Sequence, residues 1–322
     1  MLQTLKHPLS ITKIKEDYKV ESIALVLLLG FELSYYLLIV QTGITQYFNS
    51  DLIALFPLFL GGVAGTILSG QVWGTIVNPI HKILFALSLQ LVLSFLYPDF
   101  NAFTLGVLGL SVGMMAPLSI YIFKKNQRVE LFLALAIAYS VGTYFFTSFA
   151  ESRDIMAVVF TSIALVSAVF LIDYKVQENE DVKSRSFMMY LPLMLWIFLD
   201  SNLFETLSRT QALDIWSHQT YTIMIFHLFG LALAFFIRVK ELNQHFIIAV
   251  LFVLSYLLAY LNMPIALAMV YPIAISYYNV IVFSALTKEM SLNKLSCMMV
   301  FIAWIASGIG LALALSKIFT LV

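Results

Sequence analysis

The sequence predicts an all-α polytopic membrane protein of about eleven transmembrane helices, six plus five, with its N-terminus in the cytoplasm. Three observations carry this reading. First, 61% of the 322 residues are hydrophobic and only 11% are charged, more apolar surface than a water-soluble core can use. Second, that surface is gathered into about eleven long stretches broken by short polar loops, and a bilayer-spanning helix needs roughly 20 such residues. Third, the basic residues lie almost entirely on alternate loops, as the positive-inside rule requires.

The expected spans of the first group are 22–42, 52–77, 80–97, 102–123, 131–150 and 155–172; those of the second are 187–207, 218–237, 246–261, 264–286 and 295–319. Residues 1–21 form a cytoplasmic tail, 22–172 a first six-helix bundle, and 187–322 a second bundle of about five. The linker 173–186, with Glu178, Glu180, Asp181, Lys183 and Arg185, is the longest polar stretch between spans. Leu295 to Val322 is too short to cross twice at about 1.5 Å per residue. With the N-terminus inside, fifteen Lys and Arg fall on the cytoplasmic side and three (Arg153, Arg209, Lys317) outside. Eleven crossings then put the C-terminus outside. The first apolar segment is already of span length and lacks a small-residue cleavage pattern, so it reads as an uncleaved anchor.

Composition also excludes. The formal net charge is zero, which gives a nucleic-acid partner no electrostatic support. A single cysteine, Cys297, permits no internal disulfide and reads as a small packed hydrophobe. Twenty-seven Phe and sixteen Tyr suit packing positions and the two membrane interfaces. The partners implied are the lipid bilayer and a small-molecule substrate. No cofactor is implied, and the oligomeric state is open. Compactness and short tails point to a bacterial inner membrane.

Charges inside a bilayer are costly, so each is a functional candidate. Glu32 lies about ten residues into the first span and Asp200 about thirteen into the seventh, with Asn202 on the same helix. Glu32 serves either proton or cation handling or a structural hydrogen bond to a neighbouring helix. Glu205 has Arg209 one turn on and reads as an outer-surface ion pair. His227, in mid-span, is either hydrogen-bonded packing or a proton-relay member. In the tenth span, Tyr271, Pro272, Ser276, Tyr277, Tyr278 and Asn279 cluster; Pro272 can kink the helix, and Tyr277 and Asn279 suit a cavity wall. The fifth span has a comparable polar stripe, Ser140–Thr143–Thr147, which serves either to hold helices together or to bind substrate. The pairs Met114–Met115 and Met188–Met189, and Cys297 with Met298 and Met299, offer soft ligands for a metal, though packing accounts for them as well. No Lys or Arg lies at mid-depth in any span. A polyanion normally meets a buried base, so a cation, an amine, a metal or a neutral solute is favoured.

A family resemblance adds to this. Span two reads Phe59-Leu60-Gly61-Gly62-Val63-Ala64-Gly65, then Gly70 and Gly74, running into Asn78-Pro79-Ile80-His81-Lys82; span four carries Gly109, Gly113 and Pro117 before Lys124-Lys125. The small residues let helices approach closely. Together these segments resemble the second and fourth helices of the major facilitator superfamily and its inner-loop motif, in which a Gly is followed by an Asp–Arg pair and further basic residues. Gly74 and Lys82 match in type; Asn78 stands for the acid and Pro79 for the base. The departures are that lost pair, which forms the family's cytoplasmic gate lock, and a missing twelfth helix. In the family the first and seventh helices line a central cavity, which implies that Glu32 and Asp200 face one another there. A carboxylate so placed suits reversible proton uptake during transport.

The recurrent loop rhythm, with Pro98-Asp99-Phe100-Asn101 answered by Asn262-Met263-Pro264 and Lys124-Lys125 by Lys288, fits the internal repeats from which many transporters are built. The leading expectation is a secondary transporter working by alternating access and coupled to protons or another ion. With no phosphate-cradling Gly-rich loop, ATP is not its direct energy source. A transporter-like scaffold that moves nothing is the alternative. An embedded enzyme is weaker, because metal-acid, His-Glu-x-x-His and Gly-x-Ser-x-Gly motifs are absent.

Overall fold

The structure is a computed structural model, and it describes residues 20–48, 51–73, 78–123, 128–148, 152–174, 176, 187–210, 213–237, 239–288 and 291–316. The N-terminal tail to residue 19, nearly all of the linker beyond Tyr174, Gly74 and Lys124-Lys125 lie outside the described residues. The described chain is helical throughout its length. In chain order the long helices are α1 Val20–Tyr47, α2 Leu52–Gly70, α3 Pro79–Ser94, α4 Ala102–Ile122, α5 Arg128–Ser148, α6 Arg153–Val169, α7 Leu191–Arg209, α8 Thr220–Phe236, α9 Glu241–Tyr260, α10 Pro264–Leu286 and α11 Leu292–Leu315. Each overlaps an expected apolar segment, several with ends shifted by a few residues. Eight are long and apolar enough to cross a membrane; α3 and α8 are shorter apolar helices. The chain is an integral membrane protein, with large apolar side chains such as Ile53, Phe103 and Phe246 turned outward.

Helix starts follow local chemistry. Asp51 caps α2 by accepting from the Ile53 amide at 2.9 Å, Asn101 and Thr104 cap α4 reciprocally, and Ser291 caps α11. These side chains satisfy amides that have no partner within the helix. Asn78 and Pro79 do the same work for α3. Asn78 accepts from the Ile80 amide at 2.9 Å and donates to the Ile172 carbonyl at 3.0 Å, and Pro79 takes the first helical position, where its missing N–H costs nothing. The two residues that stand where the inner-loop motif has its Asp–Arg pair therefore begin a helix. Lys82 reaches back instead to the end of α2, donating to the carbonyls of Ser69 at 2.9 Å and Gln71 at 2.6 Å. A cation there satisfies orphan carbonyls and the negative end of the helix dipole.

Packing follows from the small residues. Helices α2 and α4 touch backbone to backbone: a Cβ added to Gly61, Gly65, Gly109 or Gly113 would overlap the carbonyl of Gly106, Leu110, Leu58 or Gly62 respectively. The Thr66 hydroxyl closes the seam, lying 2.9 Å from the Gly113 carbonyl. In the first half α1 packs on α5 and α6, and α3 on α4 and α6; in the second, α7 packs on α11, α8 on α10, and α9 on α10 and α7. Between halves, α2 and α4 meet α11, and α5 meets α8. The second helix of each half thus meets the fifth of the other, leaving α3, α6 and α9 on the outside.

Candidate functional site: a central cavity between the halves

A cavity of about 320 Å³ lies at the centre, lined from α1, α4, α5, α7, α8, α10 and α11. Its wall is mostly apolar, which is usual for small-molecule sites, with a few polar groups to fix orientation. Two carboxylates, Glu32 and Asp200, reach it from opposite halves. No Lys or Arg is among the described residues of the wall.

The two acids are held differently. Glu32 is buried and accepts one hydrogen bond, from Gln90 Nε2 of α3 at 3.0 Å. Asp200 has a hydroxyl on each oxygen: Tyr271 at 2.8 Å and Tyr278 at 2.5 Å, both from α10. Beside them runs a chain that crosses between halves. Asn279 Nδ2 donates to the Tyr139 hydroxyl at 2.8 Å. The Tyr139 ring stacks on His227 with centroids 4.4 Å apart and planes 8° from parallel. His227 Nδ1 in turn pairs with the Ser276 hydroxyl at 2.7 Å. Tyr139 of α5 is the only member of that chain from the first half.

Of the residues singled out from sequence, Glu32, Asp200, His227 and Asn279 line the cavity. Asn202 and Tyr277 are not in its wall. Asn202 joins helices instead: it accepts from the Tyr256 hydroxyl of α9 at 3.0 Å and donates to the Gly310 carbonyl of α11 at 3.3 Å. Helical geometry explains both placements. Two residues beyond Asp200 is about 200° round the helix, and Tyr277 is about 100° from Tyr278. Glu205 does pair with Arg209, at 2.7 Å, but as a buried carboxylate rather than on the outer surface. Of the fifth-span stripe, Thr143 faces the cavity. Met115 and Met299 contribute to the wall, whereas Met188 and Met189 are exposed.

Two site residues, Gln90 and Trp304, escaped the sequence reading, and the pairing of a third, Tyr139, stayed hidden. Gln90 is a lone amide inside an apolar span, and the logic applied to the acids would have found it. Tyr139 stands in the polar stripe of the fifth span, which gives no sign of its partner. Trp304 sits in a stretch where α11 widens to π-helix, Val300–Ala306; α1 does the same over Tyr36–Ile44. Both widened turns face the cavity, through Tyr36, Leu37 and Gln41 and through Ala303 and Trp304, and π-turns of this kind cluster at functional sites. The Trp304 indole donates to Thr66 Oγ1 at 2.8 Å and its ring covers Gly62, so a wall residue of the cavity is tied to the α2–α4 seam.

Contacts between halves flank the cavity at both ends. At the end that carries the basic loops, Ser69 of α2 pairs with Ser296 of α11 at 2.8 Å, and Phe123 packs edge-on to Phe283 at 6.2 Å. Phe132 meets Phe235 there too, at 5.4 Å. At the opposite end Trp216, on the short helix Ile215–His218, stacks on Phe146 at 5.3 Å and meets Phe204 at 5.0 Å. The Ser69–Ser296 pair is close enough to test directly. In a Cys297→Ser background, the Ser69→Cys/Ser296→Cys protein should form a disulfide under mild oxidation, seen as a gel-mobility shift reversed by reductant. Failure to cross-link would mean that the halves do not meet at this end as described.

No family model and no curated protein matches the sequence. Solved structures do match. The human organic anion transporter MFSD10 (TETRAN) superposes with a TM-score of 0.62 at 13% identity, covering 92% of each chain. The nucleoside transporter NupG gives 0.53 at 12%, covering 92% of this chain and 98% of that one. A bacterial homologue of the human lysosomal transporter Spinster, inward-facing and unoccupied, gives 0.52 at 10%, covering 92% and 82%. The chain has the fold of these transporters, the one that its resemblance to the major facilitator superfamily implied.

Proposed function

We propose that this chain is a secondary transporter that moves a small solute by alternating access around the central cavity. The observation that carries the reading is the cavity itself. It lies between two halves, holds a carboxylate from each, and is flanked at each end by a separate set of contacts between them. Coupled motion of packed halves about a fixed site is how transporters of this architecture work. The two halves correspond to 22–172 and 187–322, joined by 173–186, with eleven crossings, the N-terminus inside and the C-terminus outside; the fifteen-to-three charge asymmetry supports that orientation in a bacterial inner membrane. The acids and the aromatic wall favour a cation or amine, or a neutral solute, over a polyanion. Protons are the natural coupling ion, taken up by a cavity acid.

The test is a thermal-stability panel of amines, lipophilic cations, metals, amino acids and sugars at two pH values on the detergent-purified protein, followed by uptake of each stabilising compound into proteoliposomes. A native-state ligand raises the melting temperature by mass action. Uptake driven by an imposed pH gradient supports the proposal. A flat panel with no uptake would favour a scaffold built on a transporter fold.

A further inference from the structure

We infer that Glu32 is the cavity acid that gains and loses a proton, and that Gln90 is the positioning residue that lets it do so, while Asp200 keeps one state throughout. This deepens the transport reading and rests on it for its meaning, but not for its test.

Gln90 is completely buried, and its Oε1 has no partner. Such an unmatched acceptor costs about 1–3 kcal/mol, which an apolar side chain at the same place would not. What the amide does that no apolar residue can is present two faces. As placed, Nε2 donates to a carboxylate oxygen of Glu32. Turned by half a rotation about its last torsion, Oε1 would accept from the O–H of a protonated Glu32. Either way one polar end of the amide is paired and one is not, so Gln90 meets both forms of Glu32 at similar cost. An Arg or Lys there would hold the charge, and a Leu would expel it. The unpaired Oε1 follows from a partner that must suit two states.

Asp200 is built otherwise. Two hydroxyls already donate to its two oxygens. Protonation would weaken both of these bonds, since a carboxylate is the stronger acceptor, and Tyr271 is completely buried.

Among the described residues Gln90 is the hydrogen-bond partner of Glu32. On its own helix Tyr35 and Tyr36 are neighbours. Helix α3 brings Gln90 and the neutral Ser94, α5 brings Tyr139, and α6 brings Thr161. Asp200, His227 and Tyr278 face it across the cavity. On the helices packed against α1 the bases are Arg128, eleven residues or roughly 16 Å before Tyr139 on α5, and Arg153, bound to Gln46, which is fourteen residues or roughly 20 Å beyond Glu32 on α1.

The experiment is infrared difference spectroscopy of the lipid-reconstituted protein titrated with pH, following the C=O stretch of protonated carboxyl groups. We expect one buried carboxyl band that grows as pH falls. It should vanish in Glu32→Gln and persist in Asp200→Asn and Glu205→Gln. Its midpoint should move by at least one pH unit in Gln90→Leu or, if that variant folds poorly, in Gln90→Met. A merely structural Gln90 would change yield and leave the midpoint in place. Loss of the band in Asp200→Asn with retention in Glu32→Gln would overturn the inference, as would an unmoved midpoint or the absence of any titrating band. A Glu32 band in a protein that moves no solute would sink the transport reading and leave this one standing; solute uptake without the band would do the reverse.

Discussion

Glu32→Gln should abolish ligand-induced stabilisation and proton-driven uptake while leaving membrane yield near wild type. The fold should survive because Gln is almost isosteric with Glu and its carbonyl still accepts from Gln90. The exchange of a charged for a neutral acceptor costs about 1 kcal/mol. Function should not survive, because the removed carboxylate is one of two in the cavity and no other acid stands among the described residues of its wall. At a ligand concentration of about 100 times Kd, the wild type gains about 2.7 kcal/mol in stability; the variant should gain almost none. A melting-temperature comparison with and without ligand reads this directly. A Glu32→Gln protein that still binds and transports would remove Glu32 from the mechanism. Asp200→Asn is the less clean variant: an asparagine turns an N–H₂ toward one tyrosine hydroxyl, so lost function there would be mixed with lost stability.

The largest structural effect is expected at the α2–α4 seam. Gly113→Ala would drive a methyl group into the Gly62 carbonyl, an atom fixed in its own helix. The helices must then part. Overpacking of this kind costs about 1–3 kcal/mol, and separation also threatens the Thr66 bond to Gly113 and, through Thr66, the Trp304 tie to the cavity wall. Gly106→Ala is the control on the same face of the same helix. The nearest atom to its added Cβ is 3.6 Å away, ordinary contact, so the loss of backbone freedom in the unfolded chain should make it neutral or stabilising by about 0.4–1 kcal/mol. Unfolding midpoints in a denaturing-detergent titration should separate the two variants clearly. Equal midpoints would mean that the close approach is not what holds these helices.

Much of this architecture was legible because it is written locally. Apolar runs mark the helices. Glycines four apart on α2 and on α4 announce a close pair before any partner is known. Charge burial nominated Glu32 and Asp200 by cost alone. What stayed hidden is pairwise and distant. Glu32 meets Gln90 across 58 residues and Asn279 meets Tyr139 across 140; nothing in either stretch encodes the other. Facing was hidden too, because a helix that is apolar all round carries no stripe to say which side is inward. Hence Asn202 and Tyr277 looked as eligible as their neighbours. The basic loop read as a degraded lock, yet Asn78 and Pro79 start α3 and Lys82 ends α2, roles that depend on which carbonyls come within reach.

The central claim is that the two sets of end contacts open in alternation, and it can be tested without knowing the solute. Spin labels on Val72 and Ile237 report the basic end, and labels on Leu52 and Tyr221 the opposite end; all four are exposed and each pair spans both halves. Each pair is introduced into a Cys297→Ser protein in lipid, and its distance distribution is measured at two pH values. The account predicts two distances at each end whose populations shift in opposite senses, one end widening as the other narrows. A single unchanging distance at both ends, under every condition that leaves the protein folded, would contradict it.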